Sequence, residues 1–315
     1  MSAPPGGLRL EMAPMQGLTG YVFRAVYLRH FAGVDQCYCP FVRLKNGALP
    51  GRDQRELEAG RTAGPGFTPQ IIAANPSEAQ TLGALLVDLG YGRVNLNLGC
   101  PYPMETRRRR GAGLLPFPDE VDRVLETLCR FTPALQVSVK TRLGLVRGDA
   151  LGALRPVFER YPLSSLIVHP RTARQMYEGT PDWQAFGEQT RGLGIPVVAN
   201  GDILTVDDAR RLQQRFPWIA GLMIGRGLLR DPFLPEAIQG QALPGARLQR
   251  LRRFHDALLE AYQQAGLTEA HVLDKMRPLW AYLAHSFAEP EQVAKNFKRA
   301  RRMHRYQDAI AALFG

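Results

Sequence analysis

One pattern dominates the sequence: a short apolar segment followed by an amphipathic helical segment, repeated between residues 10 and 238. Apolar runs such as residues 166–168 suit strands buried on both faces, and parallel strands need helical crossovers. The repeat predicts a (β/α)8 TIM barrel, with a doubly wound sheet as the alternative. The eight predicted strands span residues 10–14, 36–39, 68–73, 94–98, 135–141, 165–169, 196–200 and 220–224.

Helical spacing follows most of these strands. The exception is the segment 45–66, which is rich in glycine and charge. It is predicted to be irregular and to lie over the barrel mouth in place of a second helix. The predicted helices span residues 21–31, 77–89, 118–131, 150–160, 182–190, 206–216 and 228–238.

After residue 240 the helical spacing continues without strands, which predicts helices over residues 248–264, 268–284 and 290–313. We therefore expect a barrel domain over residues 1–240, a linker over 241–245 and a small all-helical domain over 241–315. The last helix carries Lys295, Lys298, Arg299, Arg301, Arg302 and Arg305. Their spacing can place several charges on one face, as a solvated surface or as a nucleic-acid surface.

The composition favours a polyanionic partner, because the 315-residue chain has a formal net charge of +11. No apolar run of about 18 residues and no signal sequence is seen, so we expect a cytoplasmic protein without membrane segments. Four cysteines do not form a disulfide framework. Cys37 and Cys39 give only a C-x-C pair, so a core strand is favoured over a metal site. We expect no metal and a monomer.

The segment VNLNLGCP, residues 94–101, places a thiol at the end of a strand. Its apolar residues alternate with Asn95 and Asn97, which is the period of a strand with two different faces. Gly99 permits a sharp turn and Pro101 ends the strand. Cys100 would then lie at the carboxyl end of a barrel strand, where barrel enzymes have their active sites. A buried structural thiol is the alternative.

Amide, cationic and glycine residues follow the other strands. Glycine turns after strands seven and eight, at Gly201 and at residues 225–227, suit a phosphate group. Lys140 on strand five would point at the body of a cofactor, where an ammonium stabilises a reduced flavin. No G-x-G-x-x-G follows a strand, so flavin mononucleotide (FMN) fits better than a dinucleotide.

The segments APM, NLNLGCP, SVKTRLG, VHPRT, VVANGD and MIGRG occur in the order and spacing of the tRNA-dihydrouridine synthases. The chain resembles that family over about residues 8–240. The resemblance implies FMN-dependent reduction of the C5=C6 bond of uridines in the tRNA D-arm, driven by NADPH or NADH, with Cys100 as proton donor. It implies uracil contacts from Asn97, Arg142 and Tyr177. The flavin contacts assigned with it are Pro14, Met15, Gln70, Lys140, His169, Asn200, Gly201, Asp202, Gly225 and Arg226.

The sequence departs from the family pattern just after Cys100. Family members often have a lysine and then a glycine-rich run, whereas PYPMETRRRRGAGLL contains four consecutive arginines. A base flipped out of tRNA requires a basic surface around it. We therefore predict tRNA contacts from the arginine run and from three residues of the tail: Arg107, Arg108, Arg109, Arg110, Lys298, Arg301 and Arg305.

Three other functions remain open from the sequence. A flavin barrel similar to dihydroorotate dehydrogenase would act on a free pyrimidine, but has no use for a basic helical tail. A flavin-dependent RNA methyltransferase on the same scaffold would use the cysteine with a methylene carrier. A non-catalytic tRNA-binding protein is disfavoured by the combination of Lys140, His169 and Arg226 at one barrel mouth.

Overall fold

The computed structural model describes residues 8–60, 66–241 and 246–315. These residues form one parallel sheet in the order β3-β2-β1-β9-β8-β7-β6-β5-β4. The segments β3 and β4 are the two halves of the third predicted strand, interrupted by Pro69, which has no N–H for a ladder. Because β3 pairs with β2 and β4 pairs with β5, the sheet closes into the predicted eight-stranded barrel. The strands are β1 (Arg9–Met12), β2 (Gln36–Tyr38), β3 (Phe67–Thr68), β4 (Gln70–Ile71), β5 (Arg93–Leu98), β6 (Gln136–Gly144), β7 (Leu166–Thr172), β8 (Val197–Asn200) and β9 (Ile219–Ile224).

Helices surround the barrel, and several begin at side chains that cap them. The Asn75 side chain accepts the Glu78 N–H, and Thr205 and Asp208 form a reciprocal capping box. The helices of the barrel region are α1 (Tyr21–His30), α2 (Gly51–Gly60), α3 (Pro76–Asp88), α4 (Pro103–Thr106), α5 (Pro118–Glu126), α6 (Ala150–Glu159), α7 (Trp183–Thr190), α8 (Val206–Arg215), α9 (Arg226–Arg230) and α10 (Leu234–Ile238). The helices that follow are α11 (Arg247–Gln264), α12 (Glu269–Leu283), α13 (Pro290–Arg299) and α14 (Met303–Phe314).

The helix α2 corrects the prediction for residues 45–66. Leu57 is its one buried leucine, so the sequence lacks helical apolar spacing there. The helix is fixed by polar contacts instead: Glu56 accepts from the Tyr21 N–H at 3.0 Å and pairs with buried Arg24. It therefore packs beside the start of α1 as a regular crossover element. Residues 61–65 lie outside the described residues.

Two helices predicted as continuous are broken. The segment 228–238 contains the end of α9 and all of α10, which are separated at Asp231 and Pro232. A proline disfavours helical geometry at the residue before it, so the helix breaks at Asp231. The segment 290–313 forms α13 and α14, because Ala300 leaves helical geometry with ψ at 76°. The basic cluster of the tail therefore spans two helices and their joint, not one helical face.

The C-terminal helices pack against the barrel through aromatic rings. Phe254 of α11 contacts Phe23 and Tyr27 of α1 and Phe31 just after it, with ring centroids between 5.1 and 6.2 Å apart. Trp280 of α12 stacks on Phe297 of α13 at 3.8 Å. The predicted linker falls largely on residues 242–245, which lie outside the described residues. No described helix has the length and apolar character to cross a membrane.

Candidate active site

The carboxyl ends of the strands open into a cavity of about 470 Å³. A volume of this size is typical of sites for small molecules and cofactors, ~300–1,000 Å³. Fourteen residues assigned to the site from the sequence line this one cavity: Pro14, Met15, Gln70, Asn97, Cys100, Lys140, Arg142, His169, Tyr177, Asn200, Gly201, Asp202, Gly225 and Arg226. The structure thus brings together residues that are up to 212 positions apart in the chain.

The turn that carries Cys100 is fixed by Asn97, the last inward-facing residue of β5. Its amide oxygen accepts the N–H groups of Gly99 at 2.9 Å and Cys100 at 2.8 Å. On the far side, the Cys100 carbonyl accepts the Ala112 N–H at 3.1 Å. A Cβ at Gly111 would lie 2.7 Å from the Cys100 Cβ, and Gly111 has a positive φ of 57°, so only glycine fits there. The thiol is therefore held in one place.

A chain of side-chain hydrogen bonds connects Asn97 to the barrel interior. Asn97 donates to Gln70 at 2.8 Å, Gln70 donates to Asn95 at 2.7 Å, and Asn95 donates to Ser138 at 2.9 Å. All four residues are buried. Each amide is thereby locked in one orientation, and Asn97 and Gln70 each keep one N–H for a ligand.

Arg142 and Lys140 are neighbours on the inward face of β6. Arg142 donates to three backbone oxygens, those of Gly99, Thr172 and Met176, at 2.8–2.9 Å. The guanidinium also hydrogen-bonds to Tyr177, so at most one of its five N–H donors is left for a ligand. Among the described residues, no hydrogen bond or ion pair to Lys140 Nζ is found. Burial, together with the charge of Arg142, lowers the pKa of Lys140 to about 7.

Two further titratable groups of the cavity, the Cys100 thiol and the His169 imidazole, are neutral at neutral pH. Burial raises the pKa of the Cys100 thiol, against the opposing effects of the Tyr102 N–H and the charges of Arg142 and Lys140. Burial and the surrounding cations lower the pKa of His169 well below its usual range. At neutral pH the cavity therefore presents a protonated thiol, a neutral imidazole and a surplus of cationic groups, which suits a ligand with negative charge.

Arg171 organises the wall formed by β7 and the turn after β8. The buried guanidinium donates to both carboxylate oxygens of Asp202, at 3.0 and 2.6 Å, and lies 3.2 Å from His169 Nε2. Asp202 also pairs with Arg226, whose guanidinium lies 5.1 Å from the Tyr177 ring centroid. Burial alone would raise the pKa of Asp202, but the two arginines lower it. The carboxylate is thus a fixed anion that positions Arg226.

The turns after β8 and β9 have the form predicted for a phosphate site. Gly201 has a φ of 152°, and a Cβ there would approach the Pro170 Cδ to 3.3 Å. Gly225 precedes α9, whose first N–H groups have no partner within the helix. Arg226 begins α9 and adds a guanidinium at the same position. These groups can hold a phosphate of a cofactor.

The arginine run after Cys100 divides into two parts, which corrects one assignment. Arg110 is buried and pairs with Glu78 at 2.5 Å, so it is not available to an RNA phosphate. Arg109 pairs with Glu120 and covers the Phe117 ring at 4.3 Å. Arg107 and Arg108 are exposed. Of the four arginines predicted to contact RNA, only Arg107 and Arg108 are exposed without a partner among the described residues. Arg109 is exposed beside them but already pairs with Glu120.

The tail residues Lys298, Arg301 and Arg305 are exposed and do not line the cavity. The helical region instead reaches the cavity through Tyr282 of α12, a residue that the sequence reasoning missed. Its helical spacing gave no signal that distinguished it from a core residue. Arg171 was also missed, although its position two residues after His169 on a strand places both side chains on one face.

Metal ligation has no support in the described part of the chain. No group of three or more His, Cys, Asp or Glu side chains there is arranged to hold a metal ion. Cys37 and Cys39 are buried in the barrel core.

Comparison with known proteins agrees with this geometry. The profile of the family described as "Dihydrouridine synthase (Dus)" matches residues 11–312. A "tRNA-dihydrouridine(16) synthase" of Cupriavidus necator is 33% identical, and the match covers 74% of each chain. A protein of the same name from Aquipseudomonas alcaligenes is 29% identical over 96% of this chain and 99% of its own. The family match extends through the helical region as well as the barrel.

Solved structures with low sequence identity share the fold. Morphinone reductase superposes with a TM-score of 0.52 at 13% identity, over 79% of this chain and 91% of its own. The old yellow enzyme of Trypanosoma cruzi gives a TM-score of 0.53 at 11% identity, over 84% of this chain and 96% of its own. At these identities the likeness concerns the barrel alone.

Proposed function

The chain belongs to the dihydrouridine synthase family, and on that premise we propose that it reduces the C5=C6 bond of a uridine in tRNA, with bound FMN and with NADPH as reductant. The observation that carries the proposal is the single cavity in which a protonated thiol, an unpartnered lysine and a phosphate-type turn converge. We place the target at uridine 16, since the relatives from Cupriavidus necator and Aquipseudomonas alcaligenes carry that position in their names.

The residues present fit a flavin. Lys140 lies in the cavity without a protein partner, and a buried cation of this kind is stabilised by an acceptor or an anion. Gln70, Lys140, His169 and Asn200 would hold the ring system, and Gly201, Gly225 and Arg226 the phosphate. Asp202 would act through Arg226 and not on the cofactor, because its two oxygens already accept from Arg171 and Arg226. A monophosphate suits this one turn region better than a dinucleotide.

When bound and reduced, the flavin supplies the hydride that uracil C6 receives. Negative charge then develops toward C5 and O4 of the uracil. Cys100 gives its proton to C5, and its raised pKa keeps the thiol protonated at neutral pH for this step. The positive charge of Arg142 and the free N–H of Asn97 can stabilise the charge at O4. Water returns a proton to the thiolate.

The target base must leave the folded tRNA to reach a buried thiol in the lining of this cavity. The cationic residues around the mouth would hold the flanking phosphates, and the exposed basic tail would extend this surface. The monomeric state and the cytoplasmic location remain predictions.

The proposal is tested with purified protein, FMN and an unmodified tRNA transcript. We expect a flavin absorbance band near one FMN per chain, NADPH oxidation, and dihydrouridine at position 16. NADH is compared beside NADPH, and a transcript with cytidine at position 16 is the matched control, which should yield no product there. Absence of a flavin band, with none regained after adding FMN, would sink the proposal.

A further inference from the structure

The segment that follows Cys100 presents apolar side chains outward at the cavity mouth. Tyr102 lines the cavity and is 47% exposed, and Met104, on the first turn of α4, is 65% exposed. The Tyr102 ring stacks on no other described ring, and its hydroxyl has no partner among the described residues. Large apolar side chains exposed together at the rim of a site mark a contact surface.

The segment that carries these side chains is anchored in the fold, because the neighbouring Glu105 of α4 is held by buried charges. Glu105 is 3% exposed, pairs with Arg43, and lies 3.9 Å from Arg110. Arg110 is held in turn by Glu78 of α3. Tyr102 and Met104 stand on this anchored segment and are exposed. Their exposure therefore reflects a rigid position and not a loose loop.

The charges beside this patch identify its occupant. Arg107 and Arg108 follow α4, are exposed, and make no ion pair within the described part of the chain. An aromatic ring next to free arginines is the arrangement that binds single-stranded nucleic acid, with a base on the ring and phosphates on the guanidinium groups. An apolar partner surface or an anionic protein would use only one of these two features.

We propose that Tyr102 is a stacking platform for the nucleobase next to the target uridine, with Met104 at its edge and Arg107 and Arg108 on the adjoining backbone phosphates. This inference rests on the proposed function and adds a second base site to it. The flipped uridine would enter the cavity beside Cys100, and its neighbour in the RNA strand would then lie near Tyr102, which lines the same cavity two residues further along the chain. By stacking on this neighbouring base, Tyr102 would keep it out of the cavity. It would also keep the base from filling the gap that the flipped uridine leaves in the RNA.

The test uses the FMN-loaded protein and tRNA transcripts with an abasic site immediately 5′ or 3′ of the target. Stacking of one base is worth ~1–3 kcal/mol. Tyr102→Ala should therefore lower kcat/KM for intact tRNA by about 5- to 150-fold, and Tyr102→Trp should retain it. One of the two abasic transcripts should lose a similar factor with the parent protein. That loss should nearly vanish with Tyr102→Ala, because the two changes remove the same contact.

Leu248→Ala is the matched control. Leu248 is 54% exposed at the start of α11, away from the cavity lining, and this variant should match the parent protein with every transcript. If the parent forms dihydrouridine but Tyr102→Ala acts on intact tRNA at the parental rate, the inference is overturned while the proposed function stands. The inference would also be overturned if, for both abasic transcripts, the loss of kcat/KM caused by the abasic site multiplied with the loss caused by Tyr102→Ala. Independent losses of this kind would mean that Tyr102 contacts neither missing base. A parent protein that forms no dihydrouridine would overturn both.

Discussion

Cys100 shows how a single side chain acquires its role from its surroundings. Its backbone is fixed by Asn97 and Ala112, and its thiol lies among the cations Lys140 and Arg142. These cations favour a thiolate, but burial outweighs them, so the pKa of the thiol is raised. An acid that donates to carbon at neutral pH needs this balance, whereas a nucleophilic cysteine would need the reverse.

The first prediction concerns the pH dependence of uridine reduction. The protonated thiol is the active form, and its pKa lies above the ordinary thiol value of ~8.5. The single-turnover rate with reduced protein should therefore fall to half its value only above pH 8.5. A rate that falls with a midpoint at or below 8.5 would contradict this view of Cys100. Cys100→Ala, in which the titrating group is absent, serves as the reference and should lack this alkaline limb.

Residue positions at the strand ends were predictable, because side chains alternate along a strand and carboxyl ends of parallel strands meet at one edge. The ion-pair partners of individual side chains were not predictable from the sequence. Arg110 pairs with a glutamate 32 positions earlier, and a run of four arginines contains no sign of which member will be buried. The same limit concealed Tyr282, since its place at the cavity depends on how α12 packs and not on local spacing.

At the scale of elements, the wall formed by β7 and the turn after β8 depends on one arginine. Arg171 is 1% exposed and connects Asp202, His169 and the backbone carbonyls of Glu178 and Gly179. Losing these donors would leave the two carbonyls and part of the Asp202 carboxylate unsatisfied, at a cost of ~1–3 kcal/mol for each buried group. If the wall is distorted, the flavin-bound protein loses contacts that the flavin-free protein does not make. The affinity for flavin should therefore fall.

We therefore predict that Arg171→Lys weakens FMN binding by at least about tenfold and lowers the melting temperature, because a lysine cannot donate to both oxygens of Asp202 while also reaching the two carbonyls. Fluorescence titration of the flavin-free protein and thermal unfolding measure the two effects. Arg210→Lys is the control, since its pair with Asp207 is exposed and worth ~0–1 kcal/mol. Equal FMN affinities for parent and Arg171→Lys would remove Arg171 from the site.

The elements missed from the sequence were those held by polar or long-range contacts. Helix α2 has one buried leucine and is fixed by Glu56 and Arg24. The break between α13 and α14 was missed because the helical apolar spacing runs through it, from Phe297 to Tyr306, with no proline or glycine at the joint. For the other helices and strands, the apolar periodicity predicted correctly that each element exists and whether it is a helix or a strand. It predicted the first and last residues of these elements less well.

At the scale of the whole molecule, the barrel and the helical region meet at several places, which include the ion pairs of α11 with Asp231 and Glu236. Aromatic contacts of Phe254 join α11 to α1, and Tyr282 reaches the cavity mouth. The basic residues Lys295, Lys298, Arg299, Arg301, Arg302 and Arg305 are all exposed on the same region. The helical region can therefore hold RNA at a defined position relative to Cys100.

The prediction at this scale is electrostatic. Replacing Lys298, Arg301 and Arg305 with Gln should weaken tRNA binding and flatten its salt dependence by up to about three units of slope, one for each lost phosphate contact. Replacing the exposed Arg210, Arg211 and Arg215 of α8 with Gln changes the net charge equally and should leave the slope nearly unaltered. Equal slopes for both triple variants would show that the tail is only a solvated surface.

We propose that this cavity reduces a uridine in tRNA with Cys100 as the acid. The most direct measurement maps dihydrouridine, position by position, in tRNA from a strain that lacks this gene and from the same strain supplied with the parent or the Cys100→Ala protein. Our account predicts loss of dihydrouridine at position 16, its return with the parent protein, and at most slow partial return with Cys100→Ala, because proton donation is worth ~100- to 10,000-fold in rate. An unchanged map in the strain without the gene would contradict the claim.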